Sequence, residues 1–271
     1  MPELPEVETT RRGIETAVTG RRIRQLIVRD RRLRWPIATN LEIVLAGQQI
    51  RSVGRRAKYL LIHCERGALI LHLGMSGSLR LLESAVPTIK HDHFDLLLDS
   101  GQSLRFNDPR RFGSLHWTDG DLKQHKLLQS VGPEPLGDDF DGRYIHQASR
   151  GRRVALKNFL MNGHVVVGVG NIYASESLYR AKIRPGRRAS SLSRKESDRL
   201  ARAVKSVLAS AIRVGGTTLR DYVGADGKPG YFRQKLYVYE RDRLPCRVCR
   251  APIRKITQGQ RSTYYCPSCQ K

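Results

Sequence analysis

MPELPEVE, residues 1–8, is the stretch from which the N-terminal fold can be worked out. Pro5 suits the first turn of a helix, where a missing backbone N–H costs nothing. Glu6 and Glu8 would interact favourably with the positive end of the helix dipole. Gly20 indicates that the helix ends shortly before residue 20. We therefore predict a helix over residues 5–18.

Beyond this helix, strand-like runs replace the helical pattern. Short β-branched or leucine-rich segments recur without intervening helices, which is typical of an antiparallel sandwich or barrel. The residues at 99–101, Asp-Ser-Gly, have the composition of a hairpin turn. The predicted strands cover residues 22–28, 48–53, 59–63, 68–73, 78–82, 94–98 and 103–106.

A helical region follows residues 131–142, which are rich in Gly, Pro and Asp and which we interpret as a domain boundary. Helices are predicted over residues 153–161, over residues 172–181 with Asn171 as the N-cap, and after the capping box that Ser193 and Glu196 would form. The last segment would be a hairpin too small to fold without a metal.

The fold class that follows is α+β and multidomain. The predicted domains are an N-terminal β-sandwich with its helix (residues 1–131), a helical domain (residues 132–235) and a zinc-finger β-hairpin (residues 236–271).

Charge is the strongest compositional signal. The chain has 49 Lys+Arg against 25 Asp+Glu, a formal net charge of +24. Such a field attracts polyanions, so nucleic acid is the expected partner, ahead of an anionic membrane surface. No apolar run is long enough to span a bilayer, and the N-terminus lacks the bases and apolar run of a signal peptide. We expect a cytoplasmic protein.

Four of the five cysteines form two pairs, Cys246-x-x-Cys249 and Cys266-x-x-Cys269. Two such pairs can complete a tetrahedral thiolate shell around one zinc ion. No coordination position would remain open, so this zinc would be structural. Two disulfides are the alternative, which the missing export signal disfavours. Cys64, in an apolar run, is expected to be a buried small hydrophobe.

Pro2 is the candidate nucleophile. Removal of Met1 would leave a secondary amine, and an α-amino group has a pKa of about 8 against about 10.4 for lysine. More of it is therefore free base at neutral pH. A secondary amine bonded to a sugar C1′ gives an iminium, which is an electron sink. Taken alone, Met-Pro is more simply an ordinary N-terminus.

The motifs along the whole chain resemble those of the formamidopyrimidine-DNA glycosylases. The matching segments are MPELPEVE (1–8), RAKYL (56–60), LHLGMSG (71–77), KHDH (90–93), NDPRRFG (107–113), VGVGNIYASES (167–177), DGKPGYF (226–232) and the four-cysteine tail. The resemblance implies a monomeric, nucleoid-associated bacterial repair enzyme with a helix–two-turn–helix second domain. Duplex DNA with a damaged base would lie across a cleft between two domains. Oxidised purines would be excised, and β- and δ-elimination would then cleave the strand.

The same resemblance implies the catalytic residues. Pro2 would attack C1′, and Glu3 would protonate the sugar ring oxygen. Lys58 would transfer a proton and contact a phosphate. Arg261, expected at the tip of the zinc hairpin, would hold phosphates that flank the lesion and assist δ-elimination. Taken as isolated residues, Glu3 could equally be a helix-capping acid and Lys58 a solvated lysine.

Further residues resemble the family's DNA contacts. Met75, Arg110 and Phe112 would fill the gap that a flipped nucleotide leaves, and their glycine neighbours favour exposed loop tips. A base-recognition lid is expected within residues 217–231. The remaining implied contacts to the DNA backbone are His91, Arg153, Lys157, Asn171 and Tyr239.

Two other classes stay open. The sister branch of the family removes oxidised pyrimidines, although Leu4 and the set Met75, Arg110 and Phe112 favour the purine branch. A non-enzymatic zinc-ribbon protein that binds nucleic acid would fit the charge and the cysteines equally well. It would give no reason for Pro2, Glu3 or Lys58. An RNA-binding module is disfavoured because no aromatic stacking motif is present.

Overall fold

The computed structural model describes residues 2–216 and 235–271. The chain divides into two compact units. The first contains the residues up to Gln129, and the second contains Ser130–Arg213 together with the C-terminal segment. Within the described residues, no helix has the length and apolar character that crossing a bilayer requires.

The first unit contains two helices and eight strands. The helices are α1 (Leu4–Val18) and α2 (Leu41–Leu45), and the strands are β1 (Ile23–Val28), β2 (Ile50–Arg56), β3 (Tyr59–Cys64), β4 (Gly67–His72), β5 (Ser78–Glu83), β6 (Asp92–Leu98), β7 (Gln102–Asn107) and β8 (Ser114–Thr118). The strands form two antiparallel sheets, ordered β1-β6-β7-β5 and β2-β3-β4-β8. One buried core takes side chains from both sheets and from α1. The predicted β-sandwich is confirmed.

Helix α1 lies against this core through one face. Val7, Ile14 and Val18 are buried at the spacing that places side chains on the same side of a helix. A proline in the first turn agrees with the start that the sequence predicts. Pro2, directly before the helix, is buried as well.

The β6–β7 hairpin has its turn at residues 99–101, as predicted. Gly101 has φ +85°, a left-handed conformation that glycine adopts without steric cost. The β2–β3 hairpin turns at Ala57 and Lys58, because Arg56 pairs with Tyr59 across the ladder. Ala57 has φ +56° there, which is uncommon for a residue with a side chain.

The second unit is helical, with a terminal hairpin. Its elements are α3 (Gly142–Ser149), α4 (Leu156–Met161), α5 (Asn171–Arg180), α6 (Arg194–Arg213), β9 (Arg254–Gln258) and β10 (Arg261–Tyr265). The capping box before α6 is confirmed: Ser193 N donates to Glu196 Oε2 at 2.9 Å, and Glu196 N donates to Ser193 Oγ at 3.2 Å.

Two predicted helix starts were wrong. The helix predicted from Arg153 begins at Leu156, with Ala155 as its N-cap, so Arg153 precedes it. Asn171 is the first residue of α5 and not its cap. Gly170 is the N-cap, in extended backbone geometry, which leaves the Asn171 side chain available for other contacts.

Candidate active site and zinc centre

The N-terminal segment places two buried acids beside Pro2. Glu3 is the N-cap of α1 and is 2% exposed, and Glu6 is fully buried. The backbone N–H of Glu3 donates to Glu6 Oε2 at 2.9 Å, which fixes the backbone directly after Pro2. The Glu3 carboxyl group therefore lies at the N-terminus of α1, one residue after Pro2.

Gly216 packs on the same segment. A Cβ added at Gly216 would lie 3.0 Å from Glu6 Oε1, so the backbone of Gly216 approaches this carboxylate closely. Its φ of +78° is a second reason for glycine at this position. The predicted lid, residues 217–231, lies outside the described residues.

The Lys58 turn has a histidine neighbour that the sequence analysis missed. His72 lies on β4 opposite Tyr59, with ring centroids 4.9 Å apart. His72 Nδ1 accepts the backbone N–H of Gly74 at 2.9 Å. Burial, with the charges of Lys58 and Arg34, lowers the pKa of His72 to about 4. The imidazole is therefore neutral at physiological pH. The only sequence signal was its position in the segment that carries Met75.

Met75, Arg110 and Phe112 belong to two loops that touch. Met75 is 36% and Phe112 44% exposed, so both apolar side chains reach solvent. The Arg110 guanidinium lies 5.3 Å from the centroid of the Phe112 ring. A Cβ added at Gly74 would lie 2.4 Å from the carbonyl carbon of Phe112, so the backbones are in contact. These three side chains form one exposed apolar and cationic surface.

Asp108, which the sequence analysis also missed, connects the two loops by hydrogen bonds. Its carboxylate is fully buried. Oδ1 accepts the Ser76 hydroxyl at 2.7 Å, and Oδ2 accepts the Gly113 N–H at 2.7 Å. A buried carboxylate with hydrogen bonds to both loops restrains the residues next to Met75 and Phe112.

His91 lies in the turn directly before β6, in a left-handed conformation with φ +72°. Its carbonyl accepts the N–H of Asp108 at 3.1 Å. Asn107 Nδ2 donates to the carbonyl of Lys90 at 2.9 Å. The backbone of the predicted DNA-contact residue is thus held at its own carbonyl and at the carbonyl of the residue before it.

In the second unit, Arg261 lies at the tip of the hairpin, as expected. It is exposed and pairs with Gln258 across a two-residue turn. Both turn residues, Gly259 and Gln260, have positive φ, the geometry of a type I′ turn.

Lys157 and Asn171 meet at the residue after Arg261. Lys157 Nζ donates to Ser262 O at 2.8 Å, and Asn171 Nδ2 donates to the same oxygen at 3.1 Å. Lys157 is fully buried, and its ammonium also donates to Thr263 Oγ1 at 2.7 Å. Helices α4 and α5 therefore position the hairpin. Direct DNA contact by Lys157 stays a prediction.

Arg153 and Tyr239 have different surroundings. Arg153 is exposed. The N–H groups of Tyr237, Val238 and Tyr239 all donate to the buried carboxylate of Glu176 at 2.9 Å. Glu176, on α5, was missed by the sequence analysis. It anchors the segment that includes Tyr239.

The four paired cysteines form one cluster. Their sulfurs all lie within 4.8 Å of one another. The backbone N–H groups of Val248 and Cys269 are directed at the sulfurs of Cys246 and Cys266, at 3.5 and 3.4 Å. Such N–H groups stabilise thiolate charge, so the donor set fits one zinc ion closed by four thiolates.

All five cysteines lie in the described part of the chain, and none forms a disulfide. Cys64 is buried on β3, and burial with the neighbouring charge of Glu65 raises the pKa of its thiol to about 11. The expectation of an inert, buried thiol agrees with this environment.

Family models cover most of the chain. The N-terminal domain of formamidopyrimidine-DNA glycosylase matches residues 1–115, its H2TH domain matches residues 131–223, and a zinc finger found in FPG and IleRS matches residues 243–271. A formamidopyrimidine-DNA glycosylase of Stutzerimonas stutzeri is 58% identical over all 271 residues, with 100% of both chains covered. The chain belongs to the formamidopyrimidine-DNA glycosylase family.

Solved structures of this family have the same fold. The MutM (Fpg) protein of Thermus thermophilus is 40% identical, with a TM-score of 0.88 over 99% of this chain and 98% of that one. A Lactococcus lactis Fpg in complex with DNA containing an abasic site is 34% identical, with a TM-score of 0.91 over 99% of each chain.

Proposed function

We propose that this protein is a DNA glycosylase and AP lyase of base excision repair that removes oxidised purines from duplex DNA. The observation that carries the proposal is the placement of Pro2. It is buried directly before α1, in a chain that matches formamidopyrimidine-DNA glycosylases over its full length. Only an N-terminal proline supplies a secondary amine, and the opening motif MPELPEVE provides one once Met1 is removed.

The first stage exchanges a sugar–base bond for a sugar–protein bond. The lone pair of the Pro2 amine forms a bond to C1′ while the glycosidic bond breaks. The base leaves with the electrons of the glycosidic bond and gains a proton, and the Pro2 nitrogen loses its own proton. The ring oxygen takes a proton as the sugar opens, which leaves an iminium between Pro2 and C1′. Glu3 is the proposed donor to the ring oxygen, and Lys58 transfers a second proton.

The second stage cleaves the strand. The iminium acidifies C2′, so loss of a proton there expels the 3′ phosphate, and loss of a proton from C4′ then expels the 5′ phosphate. Water hydrolyses the remaining iminium, which frees the Pro2 amine and leaves an aldehyde on the sugar fragment. Arg261 would stabilise a departing phosphate through charge-assisted hydrogen bonds. The four cysteines hold one structural zinc, whose contribution is folding free energy for the hairpin.

Double-stranded DNA with a damaged base is the proposed partner. His91, Arg153, Lys157, Asn171 and Tyr239 would contact its backbone. Met75, Arg110 and Phe112 would occupy the space of the extruded nucleotide, because unstacking a base costs a few kcal/mol that inserted side chains offset. A repair enzyme acts where the chromosome is, so we infer a cytoplasmic, nucleoid-associated location.

The test is borohydride trapping on a duplex with one 8-oxoguanine opposite cytosine. Wild type should give a covalent adduct that mass spectrometry maps to residue 2, and Pro2→Gly should give much less. Pro5→Ala is the matched control: it removes a proline from the same segment but leaves the amine intact. A parallel duplex with an oxidised pyrimidine separates the sister branch. Wild-type protein that binds DNA, lacks Met1 and forms no adduct would overturn the proposal.

A further inference from the structure

Glu8 on α1 is surrounded by three arginines. Arg11 donates to it through Nε and Nη2, both at 3.1 Å, and Arg12 donates through Nε at 2.8 Å. Arg55 on β2 donates through Nε to Glu8 Oε2 at 3.3 Å. Burial opposes the charge of Glu8, but hydrogen bonds from Arg11 and Arg12 hold its pKa below the usual value. Glu8 is therefore ionised at neutral pH.

Arg55 also contacts the turn that carries Lys58, whereas the backbone contact of Arg11 is to Val53 on β2, at 3.1 Å. Arg55 Nη1 donates to the carbonyl oxygen of Ala57 at 2.8 Å. The side chains of Arg55 and Glu8 are only 11% and 12% exposed, so solvent screens this pair weakly. One guanidinium thus connects the helix that begins after Pro2 with the turn that carries Lys58.

That turn needs external support. Ala57 has φ +56°, a conformation that disfavours residues with a Cβ and persists only where surrounding contacts hold it. The fork of an arginine can hydrogen-bond two acceptors in fixed directions, whereas an ammonium is a point charge. The Ala57 carbonyl directly precedes Lys58, so restraining it restrains the backbone of that lysine.

We propose that Glu8 and Arg55 are positioning residues that hold the Lys58 turn against α1 and so set the separation of the Lys58 ammonium from the Pro2 amine. This inference rests on the proposed function, in which both groups act at one sugar. Charge balance alone does not explain Arg55, because Arg11 and Arg12 already neutralise Glu8. Small displacements of a reacting group have large effects on rate, which is why such a link matters.

The experiment measures single-turnover base excision from the 8-oxoguanine duplex. Arg55→Met, which keeps much of the side-chain volume, should slow excision about 10- to 100-fold. Arg12→Met is the matched control: it removes an arginine from the same carboxylate without touching the turn, and its rate should stay within about twofold of wild type. Arg55→Lys keeps the charge but not the fork, so it should fold and still be slow.

A double-mutant cycle separates positioning from general stabilisation. If Arg55 acts through Lys58, the double variant Arg55→Met/Lys58→Met should be no slower than Lys58→Met alone. If the rate losses of the two single variants multiply in the double variant, the inference is wrong. A wild-type rate in both Arg55 variants would also overturn it. Failure of the proposed function has a different signature: wild type itself would excise nothing and form no borohydride adduct.

Discussion

At the scale of single residues, His72 shows how one environment can fix a protonation state. Its ring is partly buried, its Nδ1 accepts a backbone N–H, and Lys58 and Arg34 add positive charge nearby. Every one of these effects disfavours the imidazolium. A neutral His72 keeps a hydrogen-bond donor on Nε2 without adding charge beside Lys58.

We expect the His72 ring to titrate at about pH 4 by NMR, because burial and then Lys58 and Arg34 lower its pKa to about 4. A histidine with a lowered folded pKa contributes stability that is fully present above about pH 6.5 and is lost as the pH falls towards 4. His72→Asn should remove both the signal and that part of the pH dependence of the unfolding free energy. A His72 signal that titrates near pH 6.5 would contradict this account.

Lys157 is a second single residue whose environment the sequence did not reveal, because its ammonium is buried. A lysine is rarely buried unless its ammonium is fully hydrogen-bonded, and here Ser262 and Thr263 provide the acceptors. Those partners lie more than a hundred residues away from Lys157 in the sequence. No local pattern around residue 157 could reveal them, so the sequence indicated only a basic residue that resembles a DNA contact.

At the scale of elements, the sequence predicted best those helices and strands whose pattern lies within a few neighbouring residues. Strands β3 and β4 have apolar runs that are mostly buried, and their pattern alone predicts them. Strand β8, SLHWT, is half-exposed over its last three residues and shows no clear alternation, so it was missed. Helix α2 has five residues, too few for a helical period to show. The capping box of α6 was found because its residues are three apart.

The residues of the candidate site also differ in how far the sequence alone could identify them. The four cysteines are identifiable from their spacing alone, whereas Pro2 and Glu3 were singled out only because residues 1–8 resemble the start of the family's sequences. Asp108 and Glu176 were not identified, since their roles depend on loops 32 and 61 positions away. A carboxylate that accepts distant backbone N–H groups has no signature in its own segment.

A tyrosine on α5 contacts one of the four paired cysteines. The Tyr179 hydroxyl on α5 lies 3.2 Å from Cys246 Sγ, and the two residues share a small buried cluster. We expect Tyr179→Phe to weaken zinc binding by about tenfold, because partners of metal ligands tune affinity by that order. Competition against a chromophoric chelator measures this.

Tyr144→Phe is the control for that experiment. Its hydroxyl also makes a hydrogen bond in the second unit, to Val165 O at 2.7 Å, but the partner is no zinc ligand. Equal losses of zinc affinity in both variants would show that the Tyr179 contact has no special role.

At the scale of the whole molecule, the net charge of +24 poses the question of whether DNA affinity comes from a diffuse field or from particular contacts. Counterion release makes the two distinguishable. Each phosphate neutralised contributes roughly −0.9 to the slope of log K against log salt. A diffuse field would let any exposed arginine contribute about equally.

We expect Arg261→Ala to make this slope less steep by about 1, for 8-oxoguanine and undamaged duplexes alike, because a lost phosphate contact is independent of sequence. Arg12→Ala removes another exposed arginine, outside the proposed DNA contacts, and should leave the slope unchanged. Fluorescence anisotropy between about 50 and 200 mM salt covers the range in which the effect is large. Equal changes in both variants would mean that the hairpin tip is only one part of a diffuse positive surface. A change of slope found only in Arg261→Ala would show that the tip of the zinc hairpin makes a specific phosphate contact.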